Sequence, residues 1–271
     1  MKTWLIPFVA FSALTIRYLI LSIIPYEILW NWKRIAFQRF RIQTGFPSAH
    51  QLWSEFKWSF ITFVIFSVGA LVMYPLILEG RTKVYFEISQ YGWWYAVLSF
   101  FILILAHDTY FYWAHRFMHV PIVFKHVHRI HHLSINPSPL AAFSFHPLET
   151  LIEGGFFYIV AFSIPINFGI LIAFLFFSHF FNTIGHLGYE FYPSWFAKNR
   201  LLGFYNSSTH HNMHHHYFNC NYGFYFNFWD KLLKTNHPQY IETFDEVVKR
   251  RINNKLGQTV AKSPFNEMSG A

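Results

Sequence analysis

The chain has 271 residues and a net charge of +8, and it is 54% hydrophobic but only 13% charged. Soluble globular domains carry about 25% charged residues, so this composition argues against a soluble protein and predicts a membrane-embedded one. The positive net charge fits the excess of Lys and Arg in cytoplasmic membrane loops better than nucleic-acid binding. The single cysteine, Cys220, excludes an internal disulfide or a two-cysteine metal site.

Three apolar stretches predict the first membrane helices, since a span needs roughly 20 mostly apolar residues. The first covers residues 4–24, with Arg17 as its only charge, and we interpret it as a retained helix because no cleavage signal is evident. The second covers residues 58–78 and the third residues 88–106, and neither contains a charge. We expect the third helix to continue to His119, because Pro121 is the first residue that would stop it.

A fourth stretch, residues 154–189, lacks Asp, Glu, Lys and Arg but is too long for one span. As a straight helix it would measure about 54 Å, whereas the hydrocarbon core of a bilayer is about 30 Å thick. Pro165 and Asn167 interrupt it, so we expect two helices that turn at residues 163–167. The predicted fold is an all-α integral membrane bundle with four or more spanning or re-entrant helices.

The basic residues of the loops predict the orientation of this bundle. Five Lys and Arg residues separate the first two spans and three follow the third, which places both regions in the cytoplasm. If the histidine-rich stretches around residues 115–132 and 210–216 form one site, the chain between them must cross the membrane an even number of times. A hairpin satisfies this condition, so we expect a histidine-rich cap on the cytoplasmic side.

Eleven of the seventeen histidines lie in those two stretches. They form one H-x3-H motif and two H-x2-H-H motifs, which contain His115, His119, His128, His131, His132, His211, His214 and His215. Side chains four residues apart lie on one helix face, so the outer pair of each motif can bind one ion and the middle histidine a neighbouring ion. Eight imidazoles exceed the four ligands of a structural zinc site, which predicts a two-metal site.

The alternative to a defined site is that the histidine-rich stretches form a loose metal-binding surface loop. The histidines outside the motifs have simpler interpretations. We interpret His107 and His179 as packed, and the incidental histidines as His50, His126, His210, His216 and His237. The repeated spacings and the apolar, aromatic flanks favour a defined site.

Six segments, in this order, resemble the fatty acid hydroxylase/sterol desaturase superfamily of membrane non-haem di-iron enzymes. They are DTYFYWAHRFMH at 108–119, HRIHH at 128–132, HPLE at 146–149, GHLGYE at 185–190, HNMHH at 211–215 and NYGFYFNFWD at 221–230. One departure is Lys234, which precedes Thr235 where the family pattern suggests a glycine. We expect that position to be structural, with little effect on function.

The resemblance implies a site with two iron ions that uses O2 and externally supplied electrons to hydroxylate or desaturate a C–H bond of a fatty acyl chain, sterol or related isoprenoid. It adds His186 to the eight motif histidines as a metal ligand. Asp108, His146 and Glu149 are candidates for positions behind the ligands, with the Asp108 carboxylate accepting an imidazole N–H. The alternative for Asp108 is an ion pair with Arg116 or Arg129, and the alternative for His146 and Glu149 is a structural role. Zinc can occupy such imidazole sites in a purified protein.

The resemblance also implies partners and a location. We expect a lipid substrate and a separate electron donor, either cytochrome b5-like or a ferredoxin with its reductase, and no nucleic acid. The histidines would face the cytoplasm, and a bacterial inner membrane is favoured over the endoplasmic reticulum because the last residues carry no dilysine signal. Residues 1–240 form the predicted membrane domain, with its core motifs at 108–230, and residues 241–271 a polar tail that contains a short helix at 241–252 and disordered last residues.

Two other functions remain open at this point. One is a metal transporter with histidine-rich cytoplasmic loops, although transporters place their ligands near the bilayer midplane, whereas these clusters lie beyond the predicted spans. The other is a family member whose metal is only structural, against which the complete set of eight motif histidines argues.

Overall fold

The computed structural model describes residues 2–255, with side chains through residue 253, and helices form most of it. Four helices are long and apolar enough to cross a membrane: Thr3–Trp32, Ala49–Leu78, Gly92–Met118 and Phe168–Gly185. The predicted all-α membrane bundle is confirmed.

The first span is longer than the sequence indicates. Helix α1 (Ile6–Tyr18) continues through a π-helical segment (Leu19–Ile23), the short α2 (Ile24–Tyr26) and a second π-helical segment (Glu27–Trp32). Pro25, which has no backbone N–H to donate, lies between the two π-helical segments. Helix α3 (Arg34–Phe37) and the 3-10 turn Gln38–Phe40 follow.

Helix α4 (Ala49–Leu78) begins nine residues before the predicted second span. The Ser48 hydroxyl accepts a hydrogen bond from the Gln51 N–H at 3.1 Å and so caps the helix start. Helix α4 packs along α1, where Phe63 lies edge-on to Tyr18 at 5.2 Å between ring centroids.

Helix α5 (Gly92–Met118) begins four residues after the start of the predicted third span and continues to the H-x3-H motif, as predicted. Helix α6 (Pro121–His126) then begins at the proline expected to stop it. At the other end of α5, the loop after α4 forms strand β1 (Val84–Tyr85), which pairs in parallel with β2 (Ile166–Asn167). The β1–β2 pair therefore marks the end of the bundle opposite His119.

The predicted hairpin is present, with helix α7 (Pro147–Ser163), strand β2 and helix α8 (Phe168–Gly185). Helix α7 starts before the apolar stretch, and its 17 residues would extend about 25 Å, less than the hydrocarbon core. The start of α7 and the end of α8 lie together beside the histidines, because Glu149 contacts His128 and His186 contacts His131. The chain therefore returns to the same end of the bundle, as the site requires.

The second histidine motif lies on helix α9 (Ser208–Tyr217), followed by α10 (Phe228–Leu232). The Ser207 hydroxyl accepts the His210 N–H at 3.1 Å, and the Glu190 Oε2 accepts the Thr209 N–H at 3.0 Å. A carboxylate at this end of a helix also interacts favourably with the helix dipole. Glu190, from the GHLGYE segment, thus fixes the helix that carries three of the predicted ligand histidines.

The short helix predicted near the C-terminus is observed as α11 (Tyr240–Lys255). Its apolar face is buried, with Phe244 and Val247 packed against Ile42 and Met213 in one cluster. The Arg250 guanidinium donates to the Ile42 carbonyl at 2.7 Å. The first part of the segment assigned to a polar tail thus packs against the membrane domain, and the last residues, predicted to be disordered, lie outside the described residues.

Candidate metal centre

All nine histidines proposed as ligands converge at one end of the bundle, in two groups. The first group is His115, His119, His128, His132 and His214. The second group is His131, His186, His211 and His215. Within each group the nitrogen atoms that face one another all lie within 4.8 Å. The histidines come from α5, the 128–133 turn, the end of α8, and α9, so the tertiary fold assembles both groups.

In the first group, the Nε2 atoms of His115 and His128 face each other at a short distance. The His115 Nδ1 lies 2.9 Å from the Tyr222 carbonyl oxygen, and the His128 Nδ1 lies 2.7 Å from the Glu149 Oε1. A carbonyl oxygen only accepts, so the His115 Nδ1 donates and the Nε2 of the neutral ring carries a lone pair; the same holds for His128 when Glu149 is ionised. These Nε2 atoms are 3.0 Å apart, a repulsive approach that a shared cation would make favourable.

The second group has the spacing of ligands that share one ion. The His186 Nδ1 donates to the Asn182 carbonyl at 2.8 Å, which leaves its Nε2 unprotonated. That Nε2 lies 3.2 Å from the Nε2 of His131, 3.1 Å from that of His211 and 3.2 Å from that of His215. Two nitrogens each about 2.1 Å from a metal ion lie about 3.0 Å apart at right angles and about 3.4 Å apart in a tetrahedron. The observed distances fall in this interval.

Two Nε2 atoms of the first group are buried and have no hydrogen-bond partner among residues 2–253. The His214 Nδ1 donates to the Cys220 carbonyl at 2.6 Å, but its Nε2 is unpartnered. The His119 Nε2 is also unpartnered. Buried polar atoms nearly always have a partner, so both nitrogens fit donors to a metal ion in the first group.

The electrostatics of the cluster also suit cation binding. Burial, followed by the charges of neighbouring imidazoles, lowers the pKa of His132, His214 and His215 well below the usual value. Burial lowers the pKa of His186 to about 4. The rings are therefore neutral near pH 7, which is the form that binds a metal.

The three residues predicted to lie behind the ligands have different environments. Glu149 contacts His128, as expected. His146 instead caps α7, where its Nδ1 accepts the Leu148 N–H at 3.2 Å. Glu149 therefore has the expected position behind a ligand, and His146 has the structural role that was its alternative.

The predicted contact between Asp108 and an imidazole is wrong. The Asp108 Oδ1 accepts the backbone N–H groups of Tyr225 and Phe226 at 2.8 and 3.1 Å. Seven residues along α5 correspond to about 10 Å, so the carboxylate lies too far below His115 to reach its ring. The alternative ion pair with an arginine is likewise absent among residues 2–253.

The loop at residues 218–235 contains an important residue that the sequence analysis did not single out, Asp230. Its Oδ1 accepts the Tyr222 N–H at 2.8 Å and the Thr235 hydroxyl at 2.7 Å, and its Oδ2 accepts the Gly223 N–H at 2.7 Å. These bonds fix the peptide whose carbonyl accepts from His115. Asp230 could have been identified from the sequence because it is the last residue of the NYGFYFNFWD segment.

The same loop explains the departure at Lys234. Its φ of 55° lies in the left-handed region, where glycine carries no steric penalty. A glycine is therefore expected there because of the backbone conformation. Lys234 adopts the same conformation at a cost in conformational free energy.

The histidines interpreted as packed or incidental lie outside the two groups. His107 is buried among aromatic rings, and His179 is buried with its Nε2 3.0 Å from the Ser22 Oγ. His210 is fully buried, with its Nε2 3.0 Å from the Asn236 Oδ1, so it has a structural role. His126 is exposed.

A cavity of about 620 Å³ leads from the middle of the helical bundle to the histidines. Helices α1, α4, α5, α7 and α8 line it, and its walls are mostly apolar. Both groups contribute to its end, through His115 and His128 from the first and His131 and His186 from the second. A lipid chain or ring system could therefore reach both candidate metal positions from within the bundle.

Comparison with known proteins gives matches consistent with this arrangement. The family model described as fatty acid hydroxylase matches residues 100–235, which include every residue of the two groups. A Delta(7)-sterol 5(6)-desaturase from Leptosphaeria maculans is 32% identical over 75% of this chain and 54% of its own length. A lathosterol oxidase from Rattus norvegicus is 29% identical over 65% of this chain and 58% of its own length.

The chain spans about half the length of the curated relatives it matches. The search of solved structures found no match. The family model covers half of the chain, and the same region holds the histidine groups and the loop that positions them. The chain belongs to the fatty acid hydroxylase/sterol desaturase superfamily.

Proposed function

We propose that this protein is a membrane-bound oxidoreductase that uses two iron ions and O2 to desaturate or hydroxylate a C–H bond of a lipid. The observation that carries the proposal is that two groups of neutral, mostly buried imidazoles lie at the end of an apolar cavity. Imidazole alone does not distinguish iron from zinc, so iron rests on membership of the family. Zinc is an expected contaminant of the purified protein.

The residues around the centre have separable tasks. One ion would be held by the five-histidine group and the other by the four-histidine group; when bound, the irons supply O2 activation and C–H oxidation. Glu149 and the carbonyls of Tyr222 and Asn182 accept the Nδ1 protons of ligand histidines and so fix the orientation of the rings. The apolar cavity walls position the lipid and exclude water.

The relatives favour a sterol-type substrate and desaturation as the outcome. They are named as a sterol desaturase and a lathosterol oxidase, and each aligns with more than half of this chain. A fused rigid ring system and a fatty acyl chain are both compatible with an apolar cavity of about 620 Å³. We therefore propose a sterol or related isoprenoid first and a fatty acyl chain second.

The proposed orientation places the histidines in the cytoplasm, with a bacterial inner membrane as the proposed location. The positive loop residues support the orientation, since Lys33 and Arg34 follow the first span and Lys125 and Arg129 lie next to the ligands. Lys125 and Arg129 are exposed beside the buried His128. A separate electron donor, either cytochrome b5-like or a ferredoxin with its reductase, could thus approach the centre from this side.

The test uses the purified, full-length protein loaded anaerobically with Fe(II). With a sterol, a ferredoxin–reductase pair and O2, we expect about two bound irons per chain, as two histidine groups imply, and a product that lacks two hydrogens or gains one oxygen. Removal of the metal by a chelator should abolish the reaction, and reloading with zinc should not restore it, because zinc has no redox chemistry. Oxidation that continues in the metal-free protein would overturn the proposal.

Glu149 offers a selective prediction, since it contacts His128 but no histidine of the four-histidine group among the described residues. Glu149→Ala is expected to weaken metal binding at the five-histidine group by about 10- to 100-fold, because loss of an acceptor behind a ligand histidine has this effect. Metal titration followed spectroscopically would show one weakened site and one unchanged site. Equal weakening at both sites would contradict the assignment of Glu149 to one ion.

Metal transport remains the competing function. The histidine groups lie at one end of the long helices rather than at their centres, which does not favour a transport site. Uptake of Fe(II) or Zn(II) by proteoliposomes at a rate dependent on His131 would support transport instead of lipid oxidation.

A further inference from the structure

Arg17 is a buried charge near the middle of the first membrane span, Thr3–Trp32. Its side chain is 7% exposed and lines the apolar cavity. Arginines near span ends can extend to the membrane surface, but a central arginine cannot do so easily, and such residues usually serve a function. This residue has no role in the centre proposed above.

The guanidinium of Arg17 has no counter-charge. Among residues 2–253 it forms no ion pair or hydrogen bond, and its buried Nε is unpartnered. Glu153, which also lines the cavity, forms no ion pair with it. The aromatic faces of Phe143 and Phe176 lie 5.6 and 6.0 Å from its Cζ, which offsets only part of the cost of burying a charge.

A second polar group with a free buried nitrogen lies beside Arg17. The His179 ring lies 4.6 Å from the same Phe143 ring, and it also lines the cavity. Its Nε2 lies 3.0 Å from the Ser22 Oγ, while its buried Nδ1 has no partner among residues 2–253. Two unpartnered nitrogen atoms thus lie near the Phe143 ring, on the wall of a mostly apolar cavity.

We propose that Arg17, with His179 beside it, forms a polar subsite that binds an oxygen-bearing head group of the lipid substrate, either a carboxylate or a hydroxyl. The inference rests on the proposed function and deepens it, because it specifies a lipid with an oxygen acceptor and its direction in the cavity. An acceptor oxygen would satisfy the guanidinium donors, and a carboxylate would also neutralise their charge.

The position of the subsite sets the direction of the lipid. His179 precedes His186 by seven residues on α8, about 10 Å along the helix axis. A head group at Arg17 would therefore lie inside the bundle, two helical turns from the four-histidine group. The lipid would present to the metal ions a carbon remote from its oxygen, while the rest of its skeleton follows the apolar walls.

The test measures equilibrium binding of radiolabelled octadecanoate, octadecanol and octadecane to the purified protein, at equal mole fractions in detergent and without O2 or reductant. The unaltered protein is expected to bind at least one of the two oxygen-bearing lipids about tenfold more tightly than the alkane, as hydrogen bonds to charged groups predict. The ranking of the carboxylate and the hydroxyl identifies the head group. Equal binding of all three lipids by the unaltered protein would overturn the proposal.

The variants separate recognition from packing. Arg17→Met should bind the three lipids alike, Arg17→Lys should retain part of the preference, and Arg34→Met, an exposed control, should behave as the unaltered protein does. If Arg17→Met weakens all three lipids by the same factor, or keeps the preference, Arg17 only packs against Phe143 and the proposal fails. Arg17→Gln provides the same comparison if Arg17→Met does not fold.

The binding result is independent of catalysis. A protein that shows the expected preference but oxidises no lipid would retain the subsite and contradict the proposed function. A protein that oxidises lipids without this preference would support the proposed function and contradict the polar subsite.

Discussion

Replacement of His131 by alanine is expected to leave about one iron per chain instead of two, and replacement of His214 to remove the other iron instead, since a metal site needs its full ligand set. His131 belongs to the four-histidine group and His214 to the five-histidine group, so each substitution removes a donor from a different ion. Both should reduce lipid oxidation by at least about a hundredfold, because even residues behind the ligands change activity by 10- to 100-fold.

The measurement is iron content by mass spectrometry together with product formation, both after anaerobic loading with Fe(II). His126→Ala is the matched control, because His126 belongs to the same stretch of sequence but is exposed and outside both groups. Two irons and undiminished oxidation in either ligand variant would show that the grouping does not describe the working centre. Loss of iron in the His126 control would indicate damage that is not specific to the ligands.

The convergence of the histidine motifs was predictable because it follows from residue spacing within single helices and from helix length. His115 and His119 are four residues apart on a helix whose continuation past the membrane span followed from the absence of Gly or Pro before Pro121. The hairpin followed from simple length, since residues 154–189 exceed one span. Local helix geometry and membrane thickness together therefore predicted most of the arrangement that brings the two stretches to one end.

The hydrogen-bond acceptors behind the ligands were not predictable in this way. The Tyr222 carbonyl that accepts from His115 lies 107 residues away in sequence, and any backbone carbonyl has the same chemistry. Asp108 illustrates the opposite error, because proximity in sequence to His115 suggested a contact that the rise of the helix prevents. A sequence pattern identifies donors with distinctive chemistry, whereas their partners depend on how the chain closes.

Several helix boundaries differed from the prediction, and α7 and the first span show the reason. Helix α7 begins at Pro147 and includes Glu149 and Glu153, although charge had placed its start at residue 154. The first span likewise continues past residue 24 through Glu27. Hydropathy marks the lipid-facing part of a helix, whereas the helix itself continues through charged residues such as Glu149, whose carboxyl group contacts His128.

Replacement of Asp230 by asparagine is expected to lower the Tm and to weaken metal binding at the five-histidine group. Asp230 is fully buried and accepts three hydrogen bonds, from the N–H groups of Tyr222 and Gly223 and the hydroxyl of Thr235. In Asp230→Asn, an amide NH2 in place of one oxygen would face a backbone N–H, a loss of at least about 2 kcal/mol. The Tyr222 carbonyl would then no longer be held against His115.

The strain in the surrounding loop makes this effect larger than a lost hydrogen bond alone. Phe218, Asn221 and Lys234 adopt φ values of 68°, 58° and 55°, and non-glycine residues in such conformations cost about 1–3 kcal/mol each and persist only when other contacts fix them. Asp230 supplies several of these contacts, since it bonds backbone groups on one side of the loop and Thr235 on the other. Its removal allows the loop to relax away from the histidines.

The matched control is Asp245→Asn, because Asp245 forms an ion pair with the largely exposed Lys198 at the surface. An exposed pair contributes about 1 kcal/mol or less, so this variant should retain both its Tm and two metal ions. Thermal unfolding and metal titration of the two variants separate the loop from surface charge. If Asp230→Asn unfolds at the same temperature as the control and binds metal equally well, the Tyr222 carbonyl does not depend on Asp230. The ring of His115 would then be positioned by the metal ion rather than by the protein.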